Sequence, residues 1–177
     1  MKKLFIALIV CIHISASYAQ SIAGVQFGMS YDESKVLLDN KFENGSKSYQ
    51  TEKNVLNYYN VYFAEEYFTH AVFYFQNDGK LTYLKNIFFY KPFSLKDSNE
   101  AKSMRDRLVS LYSNKYDEAS SYISDNGYRA FYWGKTSEDD YFISIMIDKD
   151  KNRKGEMKLW VMVSYLGRNF VKPEDEI

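Results

Sequence analysis

Two rhythms of apolar and polar residues alternate twice along this chain. The first is helical. Ser30-Tyr31-Asp32-Glu33 places a hydroxyl where a helix N-cap belongs and a carboxylate three residues on, which is the capping-box pattern. Val36, Leu37 and Leu38 then supply a short apolar face, and Asn40 a stop, so the pattern predicts a helix over 31–41. Residues 44–54 are polar and read as a loop. The second rhythm is that of strands. Tyr58 to Phe63, Tyr67 to Phe75 and Leu81 to Tyr90 are runs of the aromatic and β-branched residues that pack well on a pleated surface. Gln76-Asn77-Asp78-Gly79-Lys80 supplies residues that tolerate positive φ and predicts a tight hairpin. Glu65-Glu66 is expected to turn the first strand into the second, and Pro92, with no N–H for a ladder, to end the third.

Both rhythms then recur. Asp97-Ser98-Asn99-Glu100 reads as a cap, and Ala101, Met104, Leu108, Leu111 and Tyr112 follow at three- and four-residue steps, predicting a helix over 98–115. Ser120 to Asp125 reads as a short strand turning at Asp125-Asn126-Gly127. Tyr128 to Lys135, Tyr141 to Ile147 and Glu156 to Tyr165 are the main strands, with a turn at Thr136 to Asp139 and a charged loop at 148–155. The last strand alternates cleanly, with Met157, Leu159, Val161, Val163 and Tyr165 on one face and Lys158, Trp160, Met162 and Ser164 on the other. The predicted fold class is α+β. Two α-β-β-β units, at 24–93 and 94–166, form one antiparallel sheet with two helices packed on one face. Leu37 to Phe42 and Leu111 to Tyr116 echo one another in Leu-x-x-Asn-Lys plus an aromatic residue.

The first residues carry a different message. Met1-Lys2-Lys3 is basic, Leu4 to Ile14 is apolar, and Ser17-Tyr18-Ala19 places small residues at the positions a signal peptidase reads. Residues 1–19 are therefore expected to be a cleaved signal peptide, and 20–177 a single exported domain, periplasmic or extracellular. The apolar stretch is too short to span a bilayer, and no transmembrane segment is expected after cleavage. Cleavage removes the only cysteine and one of two histidines, which leaves no disulfide and no thiol chemistry. The whole chain carries 23 basic and 23 acidic residues, so losing Lys2 and Lys3 leaves a net charge near −2. That balance gives no electrostatic case for nucleic acid or an anionic membrane.

Gly28-Met29-Ser30, Glu33 and Val36-Leu37-Leu38 resemble the Gly-Met-Ser/Thr…Val…Leu-Leu opening of a group of small envelope α+β proteins, the β-lactamase-inhibitor-protein-like and outer-membrane-assembly-lipoprotein-like group. Phe75 to Leu81 is similar to their strand, Asn/Asp-Gly, Lys-Leu hairpin. The Gly-x-Pro that often follows their first helix is replaced by Lys41-Phe42-Glu43, and the disulfides are absent. The resemblance implies a shared fold and carries no specific function.

The residues offer little chemistry. Asp148-x-Asp150-x-Asn152 begins like a calcium loop, but Arg153 and Leu159 stand where glycine and a carboxylate are required, so neither a metal nor another cofactor is expected. His70 has no second histidine beside it once the leader is gone, and is expected to sit in the sheet. Glu65-Glu66 and Glu138-Asp139-Asp140 are turn acids that could serve hydrolysis only if the fold brought two turns together.

What stands out is the aromatic content, 17 Tyr, 13 Phe and 2 Trp. Two helices can cover one sheet face but not both, while both alternation sets of several strands are aromatic. The residues expected on the uncovered face are Tyr58, Tyr62, His70 and Tyr74 in the first unit, and Arg129, Phe131, Trp133, Lys158, Trp160 and Met162 in the second. Aromatics, Arg and Met among a few polar groups compose the centres of interfaces. The leading expectation is a non-enzymatic module binding a protein partner through that face. The alternatives are a binder of glycans or small molecules, and a hydrolase whose acids converge only in three dimensions. Burial of the aromatics in a large core, or in a homodimer, stays open beside these.

Overall fold

The computed structural model describes residues 21–43, 45–49, 54–77, 79, 82–116, 118–134 and 141–167. The expected leader, the turn acids Glu138 to Asp140 and the tail beyond Gly167 lie outside the described residues. Helix α1 spans Tyr31–Lys41 and is followed by strands β1 (Ser46–Tyr49), β2 (Val55–Phe63), β3 (Glu66–Asn77) and β4 (Thr82–Phe93). After a 3-10 turn at Leu95–Asp97 come α2 (Ser98–Tyr116), β5 (Ser120–Ile123), β6 (Arg129–Gly134), β7 (Tyr141–Lys151) and β8 (Met157–Leu166). All eight strands form one antiparallel sheet in the order β1-β2-β3-β4-β8-β7-β6-β5. Among the described residues, no helix is long and apolar enough to cross a membrane.

Helix α1 begins where the capping box predicts. Ser30 Oγ accepts from the Glu33 N–H at 3.3 Å, and Glu33 Oε2 accepts from the Ser30 N–H at 3.1 Å, satisfying donors that a helix start leaves open. The buried stripe is Tyr31, Ser34 and Leu38 rather than the expected Val36-Leu37-Leu38. Helix geometry puts positions three and four apart on one face, which leaves Val36 61% exposed. Helix α2 buries Ala101, Met104, Leu108 and Tyr112 at that spacing, as predicted.

Both helices pack on the same side of the sheet, as a chain of ring contacts shows. Phe42, just after α1, touches Tyr58 and Phe73 at centroid distances of 5.4 and 6.4 Å. Phe73 touches Phe89 of β4, and Phe89 touches Tyr165 of β8 at 6.3 Å. Tyr112 of α2 lies 6.3 Å from Tyr165 and hydrogen-bonds to its hydroxyl. Phe89 is the hub of this core. It is fully buried, stacks on Phe63 at 4.2 Å, and meets Phe68 at 5.4 Å. Its strand lies at mid-sheet, where β4 and β8 pair Ile87 with Tyr165 and Phe89 with Val163.

Three departures from the sequence expectation have simple causes. Each helix is followed by four strands, not three. The addition in the first half, β1, is Ser-Lys-Ser-Tyr at the sheet edge, where one partner strand suffices and no apolar alternation is needed. Pro92 does not end β4, because β4 pairs with β3 only up to Tyr90 and Pro92 faces a partner on the β8 side alone. The charged stretch after Ile147 is mostly strand, since β7 pairs with β8 through Lys151. Asn152 Oδ1 then closes the hairpin by accepting the N–H groups of Lys154 and Glu156 at 2.9 and 3.0 Å, a turn duty rather than a metal-ligand one.

The turn joining β2 to β3 falls at Ala64-Glu65, one residue before the expected Glu65-Glu66, and on strained residues. Phe63 pairs with Glu66, leaving a two-residue loop, and both loop residues have positive φ, 50° and 61°. Primed hairpin turns of this kind prefer Asn-Gly because L side chains disfavour that region. Glu65→Gly should therefore raise stability by about 0.5–1 kcal/mol, read as a higher thermal midpoint by circular dichroism. Phe89→Ala should lower it by roughly 3–5 kcal/mol, measurable in the same experiment; a loss near that of a surface substitution would contradict the role given to Phe89.

Candidate functional site

Among the described residues, the opposite face of the sheet carries no helix, and its side chains follow from strand alternation. Ala71, Phe73 and Phe75 of β3 point into the core, so His70, Val72 and Tyr74 point away from it. Cross-strand partners share a face, which places Tyr59 of β2 and Tyr90 of β4 beside His70. Met162 of β8 pairs with Tyr90, and Trp160 lies one alternation further along. On β7, Asp148 pairs with Trp160 and Asp150 with Lys158.

This face is concave. Residues of β2, β3, β4, β7 and β8, together with Arg153 in the last hairpin, line one basin of about 440 Å³. In a flat sheet, β2 and β7 would lie four strand spacings apart in this order, roughly 19 Å. That Asn57 and Asp150 line the same basin requires the sheet to curl, as twisted sheets do.

The floor is aromatic. Tyr59 meets the His70 ring edge-on at 4.9 Å, and Trp160 lies 6.5 Å from His70. Tyr74, Phe88 and Tyr90 continue the cluster at 5.5 and 5.8 Å. Burial pushes the Tyr90 phenol well above its ordinary range, with Tyr74 adding to the effect, so Tyr90 is a neutral hydroxyl at any physiological pH. The rim is charged: Asp148 and Asp150 stand with Lys151 and Arg153. Asp148 Oδ1 accepts from the Lys149 N–H at 2.8 Å and from Asn126 Nδ2, and Asp150 Oδ1 accepts from the Lys151 N–H at 2.6 Å, which fixes both carboxylates.

His70 is a neutral imidazole in this setting. Desolvation lowers its pKa below 6.5, and the Arg153 charge lowers it further. Its Nδ1 is buried with no hydrogen-bond partner.

Of the residues expected on the uncovered face, His70, Tyr74, Trp160 and Met162 come together in the basin. Lys158 shares their side of β8 but lies off the basin, its ammonium 3.2 Å from Glu156. The other five need correction. Trp133 is 5% exposed and packs on Tyr112 of α2 at 5.7 Å, so it belongs to the core. Phe131 and Arg129 belong to the α2 side as well: the Arg105 guanidinium lies 5.5 Å from the Phe131 ring and donates to the Arg129 carbonyl. Helix α2 covers this side of β6. Tyr58 is fully buried and donates its hydroxyl to Asp39 Oδ1 at 2.8 Å. Tyr62, 55% exposed, stands apart against Tyr67. Tyr58 and Tyr62 do not share a face because Asn60, at φ 58°, sits outside the ladder and shifts the alternation by one.

The sequence reading missed Asn57, Tyr59, Tyr90, Asp148, Asp150 and Arg153. Asn57 and Tyr59 follow once Asn60 resets the parity of β2, and Tyr90 follows from its pairing with His70; the last three follow only from knowing that β7 continues past Ile147. Among the described residues, no group of three His, Asp or Glu is placed to hold a metal ion. The turn acid Glu66 is not in the basin, since it pairs with Arg107 of α2 at 2.6 Å.

A depressed histidine pKa has a defined consequence for stability. The unfolded chain takes up a proton near pH 6.5 and the folded one only at lower pH, so this contribution is complete above 6.5 and is lost as pH falls below it. His70 is the only histidine among the described residues. The thermal midpoint should fall between pH 7.5 and 5.5, and His70→Gln should flatten that fall; equal slopes for the two proteins would show that His70 is not desolvated.

Compared with known protein families, with curated proteins and with solved structures, the chain matches none.

Proposed function

We propose that the protein is an exported, non-enzymatic binding module whose recognition surface is the concave, helix-free face of the sheet. The observation that carries this reading is the basin, with its floor of Tyr59, His70, Tyr90 and Trp160. Its volume falls in the range of roughly 300–1,000 Å³ common to small-ligand sites, and its lining divides about evenly between apolar and polar groups. A compact ligand is the occupant this shape favours. A protein partner is the second reading. It is favoured by Tyr62 and Tyr67, 55% and 66% exposed and 4.8 Å apart, which present an apolar contact beyond the basin. Export rests on the basic, apolar and small-residue succession at 1–19. We read the mirrored strand order as two α-β-β-β-β units joined along β4 and β8, which would make the basin a feature of the junction.

Asp148 and Asp150 line the same basin as His70, the kind of grouping a hydrolase would need. Binding remains the better reading. The two carboxylates are adjacent positions of one strand edge, on the same side of the basin, whereas acid and base must flank the bond they cleave.

The test is a nuclear magnetic resonance screen of the uniformly labelled mature protein with a chemically diverse fragment library. Hits are expected to move the Trp160 indole and His70 ring resonances together, and Trp160→Ala to weaken them at least tenfold. Hits scattered over the surface, or none, would overturn the reading.

A further inference from the structure

Resting on the reading of the basin as a ligand site, we infer that its ligand is an electrically neutral saccharide. Four observations converge. The rim holds two carboxylates, Asp148 and Asp150, and two cations, Lys151 and Arg153. Their charges cancel, so the basin has no net field with which to concentrate an ion of either sign. A carboxylate or phosphate ligand would meet Asp148 and Asp150, and an amine would meet Lys151 and Arg153. A purely apolar ligand would strip water from all four charges and offer no hydrogen bond in return, which is costly.

A hydroxyl-rich ring escapes each objection. Every hydroxyl both donates and accepts, so one molecule can donate to the carboxylates and accept from the guanidinium and ammonium, in hydrogen bonds strengthened by charge. Asn57 on the wall offers both functions as well. Both carboxylates are already oriented, each with Oδ1 held by the N–H of the next residue at 2.6–2.8 Å. A ligand therefore loses little in ordering them.

The floor matches the other half of such a molecule. A sugar ring presents C–H faces between its hydroxyls, and Trp160, Tyr59 and Met162 supply the broad apolar surface these faces need. Lastly, among the described residues, four buried side-chain polar atoms have no hydrogen-bond partner, on Ser34, Asn54, His70 and Asn86, and of these His70 Nδ1 belongs to the basin. Folded proteins leave few such atoms, and a hydroxyl-bearing ligand is one way to satisfy that of His70.

The experiment uses the two indoles. Trp133 is sealed in the core and Trp160 lines the basin, so in Trp133→Phe protein the emission reports the basin alone. The probes are neutral trisaccharides of glucose, galactose, mannose and N-acetylglucosamine, with a uronic-acid trisaccharide and an oligolysine peptide as charged controls. At least one neutral trisaccharide should give a saturable change, unaltered by raising salt to half molar. Asp148→Asn and Asp150→Asn should each weaken it about tenfold or more. The Trp160 indole N–H resonance of the unsubstituted protein reads the same titration should Trp133→Phe not fold. Silence from every neutral sugar, or tighter salt-sensitive binding of a charged control, would overturn the inference. If fragments still move Trp160 and His70 while sugars do not, the ligand class falls and the binding reading stands. If neither does, both fall. Cleavage of a bound trisaccharide would uphold the ligand class and show the protein to be an enzyme.

Discussion

Two helices cannot cover both sides of an eight-stranded sheet, and this chain uses them both on one. The choice is fixed at mid-sheet, where β4 and β8 pair and Phe89 gathers Phe63, Phe68, Phe73 and Tyr165 around itself. Because strand neighbours alternate, committing Phe89 and Val163 inward commits Phe88, Tyr90 and Met162 outward. The composition of the uncovered face is thus a consequence of the core. A one-residue slip along β4 or β8 would exchange the two sets, and both surfaces would fail at once.

The outward set is not simply exposed core. Ser144 and Ser164, opposite one another on β7 and β8, are buried and share a hydrogen bond of 2.6 Å. Tyr90 keeps its hydroxyl but loses its acidity, and His70 keeps its ring but loses its charge. Each of these groups is apolar enough to tolerate partial burial and polar enough to tolerate water. Such composition keeps an uncovered sheet face from becoming a continuous apolar patch, the condition under which folded chains associate indiscriminately. The edges are guarded similarly. β1 is short and polar, with Lys47 drawn to Asp39, and β5 has four residues.

Much of the fold was legible in the sequence where a single local rule decides the outcome. The capping box set the start of α1, the three-and-four spacing set the stripe of α2, and the alternation along β8 separated Leu159, Val161 and Val163 from Trp160 and Met162. Legibility ended where two rules compete. Asn60 has nothing in its neighbourhood that announces a positive φ, yet that one residue decides that Tyr58 is core and Tyr62 is not. In β6, both alternation sets are aromatic, and only the position of α2 in space assigns Trp133 to the interior. Strand β7 continues through Asp148 and Asp150 because β8 offers it a partner, a tertiary cause that no propensity of Asp or Lys contains. The candidate site suffered more than the fold for this reason. Its floor depends on parity, and its rim depends on pairing beyond the apolar stretch.

The same dependence explains why the basin lies where it does. Curling brings β2 and the β7–β8 hairpin around one hollow, and the residues that meet there are those with least in common in the sequence: Asn57 from the early half, Arg153 from the late. Arg153 illustrates the coupling. Its charge acts on His70, which is more than eighty positions earlier in the chain, and joins desolvation in keeping that ring neutral. A neutral imidazole beside an indole is a surface for stacking and for single hydrogen bonds; a protonated one would draw carboxylates and repel the guanidinium above it. The basin's neutrality is therefore maintained twice, by opposed charges on the rim and by a depressed proton affinity on the floor. Both conditions suit the neutral, hydroxyl-bearing ligand proposed for the basin better than they suit an ion.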